Sequence, residues 1–259
     1  MSTSIIVMGA TGRMGSTIAR LVGESGDLAL AAVAERPGVD LAPFGYGCLT
    51  ANSVEELLPQ CPGAVAVDFT SPEASLALAG CAAGHGNPVV IGTTGFSPEQ
   101  RKKLEEYARV SPVLWSPNMS VGVNVLLQVL PELTRLLGAS YDVDIVELHH
   151  KRKKDAPSGT ALRLAECVAD AKGWALAETG CYHREGITGE RPKREIGVQT
   201  VRGGDIVGVH TVYFMGPGER IEVTHQTHSR ETFAQGALRA ARWMAGAKPG
   251  KLYTMLDVL

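Results

Sequence analysis

A chain of 259 residues, 44% hydrophobic and 20% charged, is long enough to bury one large core or two smaller ones. Its net charge of −2 argues against a protein that coats nucleic acid, and no apolar run approaches the ~18 residues that span a bilayer. The N-terminus shows no basic region followed by a long apolar stretch, so a cytoplasmic protein is expected. Five scattered cysteines (Cys48, Cys61, Cys81, Cys167, Cys181) form no Cys-x-x-Cys pair, which points to reduced thiols and to neither disulfides nor a zinc site.

The first 120 residues alternate between short apolar runs and helical stretches. Ile5–Met8 reads as a strand, followed by a glycine turn and a helix over Met14–Val22. Strands follow at Leu28–Ala34, Val65–Phe69, Val89–Ile91 and Val113–Trp115, separated by helices at Glu73–Ala83 and Pro98–Arg109. Continuous apolar strands alternating with helices predict a parallel sheet covered on both faces, the doubly wound α/β class.

After Asn118 the pattern changes. Val123–Leu137 is a long apolar helix that Pro131 is expected to kink or split. Asp142–Leu148 reads as a strand, Gly159–Lys172 as a helix, and Thr179–Arg194 as a charged, glycine-containing loop. Glu195–Val201, Ile206–Phe214 and Arg220–Thr227 are strand-like, with hairpin turns expected at Val201–Asp205 and Met215–Gly218. This part predicts an α+β unit with a mostly antiparallel sheet, before an amphipathic helix over Arg230–Ala245.

Gly9-Ala-Thr-Gly12-Arg-Met-Gly15 follows a strand and opens a helix. A pyrophosphate needs close backbone approach and free N–H groups at a helix N-terminus, which glycines permit. The spacing is Gly-x-x-Gly-x-x-Gly rather than Gly-x-Gly-x-x-Gly, but Glu35 ends the second strand about twenty residues on, where an acid accepts hydrogen bonds from a ribose. Arg36 beside it offers charge to a 2′-phosphate, so both NADH and NADPH are candidates. Gly92-Thr-Thr-Gly95 and Ser116-Pro-Asn-Met119 end further strands at the same sheet edge.

The segment from Glu147 to Thr160 runs from a strand end through His149, His150 and four cations to a helix start at Ser158. Histidine exchanges protons near neutral pH, lysine holds an anion or gives a proton, and a helix N-terminus receives a carboxylate. A solvated basic face is the alternative reading of Lys151–Lys154. His225 and His228 lack further metal ligands, and among Arg184, Arg202, Arg230 and Arg239 nothing local selects a carboxylate contact.

These motifs together resemble the 4-hydroxy-tetrahydrodipicolinate reductase (dihydrodipicolinate reductase) family over nearly the whole chain. The resemblance is carried by Gly9–Gly15, Val67-Asp-Phe-Thr70, Ile91–Phe96, Asn118–Asn124, Glu147–Thr160, Arg184-Glu-Gly186, Gly189-Glu-Arg191, Gly204–Gly208 and Ser229-Arg230. It implies a Rossmann-like domain over residues 1–120 rejoined by 230–259, and a substrate and oligomerisation domain over 121–229. It implies catalysis by His149 and Lys153, and substrate contacts at His150, Ser158, Gly159 and Thr160. Cofactor contacts fall on Gly9, Ala10, Thr11, Gly12, Arg13, Met14, Glu35, Arg36, Gly92, Thr93, Thr94, Ser116, Pro117, Asn118 and Met119. The implied cofactor is NADH or NADPH without a metal, the substrate a small cyclic dicarboxylate of lysine and diaminopimelate biosynthesis, and the assembly a homotetramer. Ser116-Pro117 departs from the alanine-like residues frequent in relatives. Two rival readings share the cofactor domain: a dehydrogenase of another small amino or oxo acid, and a dinucleotide-binding regulator without catalysis.

Overall fold

The computed structural model describes residues 2–42 and 47–259, which divide into two compact units. The first comprises Met1–Val121 and Glu231–Leu259, the second Gly122–Arg230. In chain order the elements are β1 (Thr3–Met8), α1 (Arg13–Gly23), β2 (Leu28–Ala34), β3 (Leu49–Ala51), α2 (Val54–Leu57), β4 (Val65–Asp68), α3 (Pro72–His85), β5 (Val89–Ile91), α4 (Pro98–Ala108) and β6 (Val113–Trp115). There follow α5 (Val121–Leu137), β7 (Asp142–His149), α6 (Gly159–Ala171), α7 (Leu176–Thr179), β8 (Gly180–Cys181), β9 (Ile196–Arg202), β10 (Gly208–Gly216), β11 (Glu219–Thr227), α8 (Glu231–Met244) and β12 (Leu252–Tyr253).

The first unit is a seven-stranded sheet in the order β12-β6-β5-β4-β1-β2-β3, every pairing parallel. Its central strands are apolar on both faces because helices cover both: Ile5, Val7, Val65 and Val67 face one core, and Ile6, Ala66, Val89 and Ile91 the other. The strand order reverses between β1 and β4, and at their carboxyl ends Gly9 lies against Thr70. Helix α8 belongs to this unit. Its stripe Ala234, Ala237, Leu238, Ala241 and Met244 is buried with Ile18, Ala19 and Val22 of α1. Gly236 allows that fit, since any Cβ there would overlap the Met119 carbonyl. Arg242 also pairs with Asp27 at 2.6 Å, and Arg20 with Glu231.

The second unit is a five-stranded sheet in the order β11-β10-β7-β9-β8. The expected mostly antiparallel sheet is mixed: β7 pairs antiparallel with β10 but parallel with β9, and β9 parallel with β8. The turn at Met215–Gly218 is a hairpin between β10 and β11. The expected hairpin at Val201–Asp205 is not one, because β7 lies between β9 and β10. That segment crosses the end of β7, where Gly203 N donates to His149 O at 2.9 Å and His150 N to Ile206 O at 2.8 Å. Two strand spacings are about 10 Å, which five residues bridge easily.

Helices α5 and α6 supply Leu130, Ala161, Leu164, Ala165 and Val168 to the core over this sheet. Pro131 does not split α5, which runs unbroken from Val121 to Leu137. Proline removes the N–H that would bond to the carbonyl four residues back. Cys167 of α6 replaces it, its Sγ donating to Leu127 O at 3.4 Å. The short elements β3, α2, α7, β8 and β12 carry two to four residues each and escape sequence periodicity.

Candidate active site

In the second unit β7 alternates strictly, burying Val143, Ile145, Glu147 and His149 on one face. The first two fill the core; the last two carry the same face into polar chemistry. Strand register brings Thr200, Glu147, His210 and His225 into one row across β9, β7, β10 and β11. Glu147 is wholly buried, and its Oε2 accepts from His149 Nδ1 at 2.6 Å. Arg202 grips both oxygens, at 2.7 and 2.8 Å, and the Ser158 amide donates to Oε1 at 2.9 Å. Burial pushes the Glu147 carboxyl up, but Arg202 and His149 hold it down at about 2.

His149 has its basicity lowered, by burial first and then by Lys153 and Arg202, against the raising influence of Glu147. A neutral ring bonded through Nδ1–H to a carboxylate presents the lone pair of Nε2. His210 lies edge-on to His149 with ring centroids 5.1 Å apart, and burial pushes it down to about 4. Its Nε2 meets Ser158 Oγ at 3.0 Å.

Within Lys151–Lys154 the solvated reading holds for three cations and fails for one. Lys151, Arg152 and Lys154 are exposed, whereas Lys153 is half-buried and paired with Asp155 at 2.9 Å. Ser158 caps α6, accepting from Ala161 N at 3.1 Å, so its hydroxyl and its amide are both used internally. Gly159 and Thr160 form the first turn of α6, and His150 Nδ1 is buried without a protein partner among the described residues. Arg202 is committed to Glu147, and Arg184 to Asp144 at 2.7 Å and Glu195 at 2.6 Å, which removes both from the pool of open guanidinium groups.

In the first unit the glycine loop forms a cradle. Gly9 adopts φ +63°, Gly12 N donates to Gly9 O at 2.9 Å, and a Cβ at Gly15 would overlap the Gly9 carbonyl. Serines cap α3, α4 and α6, but α1 opens on Gly12 with no side-chain cap. Its first-turn amides are therefore available to an anion, as a dinucleotide pyrophosphate requires. Glu35 reaches this loop directly: its Oε2 accepts from Thr11 N at 3.0 Å and Thr11 Oγ1 at 2.7 Å. Partial burial raises its pKa, but these bonds and the Arg36 amide bring it below the ordinary carboxylate value. Ala10 is buried, while Arg13 and Arg36 are exposed beside the loop. The residues present fit a dinucleotide.

A Cβ at Gly92 would overlap the Phe69 ring, Thr93 is buried and Thr94 exposed. Ser116 Oγ donates to Asn118 O at 2.8 Å, and Asn118 Oδ1 accepts from Ser120 N at 2.8 Å, which shapes the loop around Pro117. The Met119 side chain is core, so only its backbone is open to a ligand.

Two residues stand out that sequence reasoning did not assign. Glu147 is one, and its signal was the two-residue offset from His149 along a strand. The other is Asp68, which is buried and binds Thr70 Oγ1 at 2.6 Å, Thr93 Oγ1 at 3.0 Å and the Ser75 hydroxyl, tying together the loops after β4 and β5. Burial raises its pKa against those bonds. Among the described residues no group of three or more His, Cys, Asp or Glu could hold a metal ion.

The parallel unit with its uncapped glycine turn and the histidine–lysine segment define an oxidoreductase of the Rossmann-like class. Models of the dihydrodipicolinate reductase N-terminus and C-terminus match residues 3–119 and 122–259. The 4-hydroxy-tetrahydrodipicolinate reductases of Nitratidesulfovibrio vulgaris and Oleidesulfovibrio alaskensis are 67% and 62% identical, over 100% of both chains. Dipicolinate-bound dihydrodipicolinate reductase from Paenisporosarcina sp. TG-14 shares the fold, with a TM-score of 0.80 at 23% identity and full coverage of both chains. A probable dehydrogenase from Thermotoga maritima shares it more loosely, with a TM-score of 0.64 at 11% identity, covering 98% of this chain and 92% of that one. The chain belongs to the dihydrodipicolinate reductase family.

Proposed function

We propose that this chain is a 4-hydroxy-tetrahydrodipicolinate reductase that uses NADH or NADPH to reduce a cyclic imine dicarboxylate to tetrahydrodipicolinate. One observation carries the reading of the chemistry: the segment His149–Thr160 combines a buried histidine, a half-buried lysine and a helix N-terminus in one unit. A nicotinamide, when bound, supplies the hydride.

The chain's own residues do the rest. Amides of the glycine loop from Gly9 to Met14 hold the pyrophosphate, and Glu35 receives the adenine ribose. Arg36, exposed beside Glu35, offers a 2′-phosphate a counter-charge, which supports use of both dinucleotides. The turns Gly92–Thr94 and Ser116–Met119 supply further backbone contacts. His150, Gly159 and Thr160 hold the substrate carboxylates, favoured by the α6 dipole. The His149/Lys153 pair gives the proton that the reduced ring takes up, from the Lys153 ammonium or from His149 once its Nε2 is protonated; Ser158 supports them as a cap. A positioned acid–base group contributes on the order of 100- to 10,000-fold.

The second unit is read as the substrate and oligomerisation domain of a homotetramer, which light scattering would register as four times 27.4 kDa. A cytoplasmic setting agrees with five cysteines that are all free and with the lack of any membrane-crossing helix among the described residues.

The test couples substrate generation to this protein: pyruvate, aspartate semialdehyde and the upstream synthase, following absorbance loss from NADH and separately from NADPH. Oxidation that depends on the synthase is the expected result, and the two rates rank the dinucleotides. Dinucleotide binding without oxidation would leave the fold standing and remove the named substrate.

A further inference from the structure

We propose that Glu147 is a positioning residue that sets the ring tautomer and proton affinity of His149. The inference rests on the reading of His149 as a proton-exchanging group. Five hydrogen bonds converge on the Glu147 carboxylate, from His149 Nδ1, both Arg202 Nη atoms, the Ser158 amide and Thr200 Oγ1. The bidentate guanidinium fixes the carboxylate plane, and the Ser158 amide ties it to the start of α6. The oxygen facing His149 therefore has one orientation, and the imidazole is pinned with it.

An ionised carboxylate accepts and cannot donate, so Nδ1 must carry a proton, and in the neutral ring Nε2 holds the lone pair. Among the described residues, Glu147 on its own strand and His210 on β10 contact the ring, and Lys153 after that strand and Arg202 on β9 act on its charge. Lys153 and Arg202 oppose protonation of the ring, and Glu147 favours it. Arg202 has a double role, orienting the carboxylate while moderating its pull on the proton.

The experiment uses the full chain with 15N-labelled histidine, comparing wild type, Glu147→Asp and Glu147→Gln by NMR and by steady-state rates across pH. The expected result for E147Q is loss of the single Nδ1–H tautomer and a titration midpoint for His149 at lower pH. Its kcat falls about 10- to 100-fold with KM for the dicarboxylate nearly unchanged, and E147D recovers part of the loss. If E147Q fails to fold because Arg202 is stranded, the pair Glu147→Gln with Arg202→Met removes both charges and carries the same measurements. An unchanged tautomer and midpoint in a folded variant overturns the proposal, as does a loss of activity that follows only the folded fraction. His149→Gln is run alongside. If it keeps native turnover, the reading of His149 fails, whereas the ring tautomer still reports separately on Glu147.

Discussion

Gly208 faces the Nε2 edge of His149 so closely that a Cβ added to the glycine would stand 3.1 Å from that nitrogen. The ring cannot retreat, because Nδ1 is bonded to a carboxylate that is itself held from several sides. Gly208→Ala is therefore expected to crowd the atom proposed to exchange the proton and to lower kcat about 10- to 100-fold. Thermal unfolding should change little. Native kcat in this variant would show that Nε2 needs no such clearance.

His149→Gln keeps a polar side chain of similar reach and removes the titrating ring. Its kcat is expected to fall on the order of 100- to 10,000-fold, with NADH affinity barely altered. Stopped-flow rates and fluorescence titration separate the two. A large loss of NADH binding would move His149 into the cofactor site.

Acid should unfold this protein through its second unit before simple carboxylate protonation would. His210 is pushed from an ordinary 6.5 to about 4, so below pH ~6.5 the unfolded chain binds a proton that the folded chain refuses. Stability is fully present above that pH and is lost as pH falls toward 4, on the order of 3 kcal/mol for this group. His149, lowered in the same direction, adds to the loss. Glu147 extends it: its stability is present above the ordinary 4.5 and disappears as pH falls toward about 2. Calorimetric Tm from pH 8 to 4 measures the slope. His210→Gln should flatten it, and an already flat wild-type profile down to pH 5 would contradict the neutral burial of His210.

Pro131 sits inside α5 at a cost that Cys167 only partly offsets with a weak sulfur donor. Pro131→Ala restores an N–H facing Leu127 O and should stabilise the chain by about 1–3 kcal/mol after allowance for the looser unfolded state. Cys167→Ala should cost more in the parent than in the alanine variant. Equal costs in urea titrations of the four proteins would break the link between these two residues.

Much of the architecture was readable because it is written in local patterns. The strands Leu28–Ala34, Val89–Ile91 and Val113–Trp115 are continuous apolar runs, which a sheet covered on both faces demands. The turn from Gly9 to Gly15 and the segment from His149 to Ser158 announce themselves within a dozen residues each. Ser158 as a helix cap needed no more than its neighbours.

What local pattern could not reach was every feature that depends on strand order. The turn Val201–Asp205 has hairpin composition in either arrangement; only the insertion of β7 between β9 and β10 makes it a crossover. The same insertion brings Arg202 to Glu147, 55 residues away, and turns an acid in an apolar strand into the group that holds His149. Helix α8 shows an apolar stripe in sequence, yet its burial with α1 and the Gly236 approach to Met119 follow from tertiary packing. The chain by itself determined the long strands and helices and the turns that open them, because propensity and periodicity act over a few residues. Only the tertiary structure decided which buried charges neutralise one another, because burial of an ion is tolerable only beside a partner that the strand order supplies.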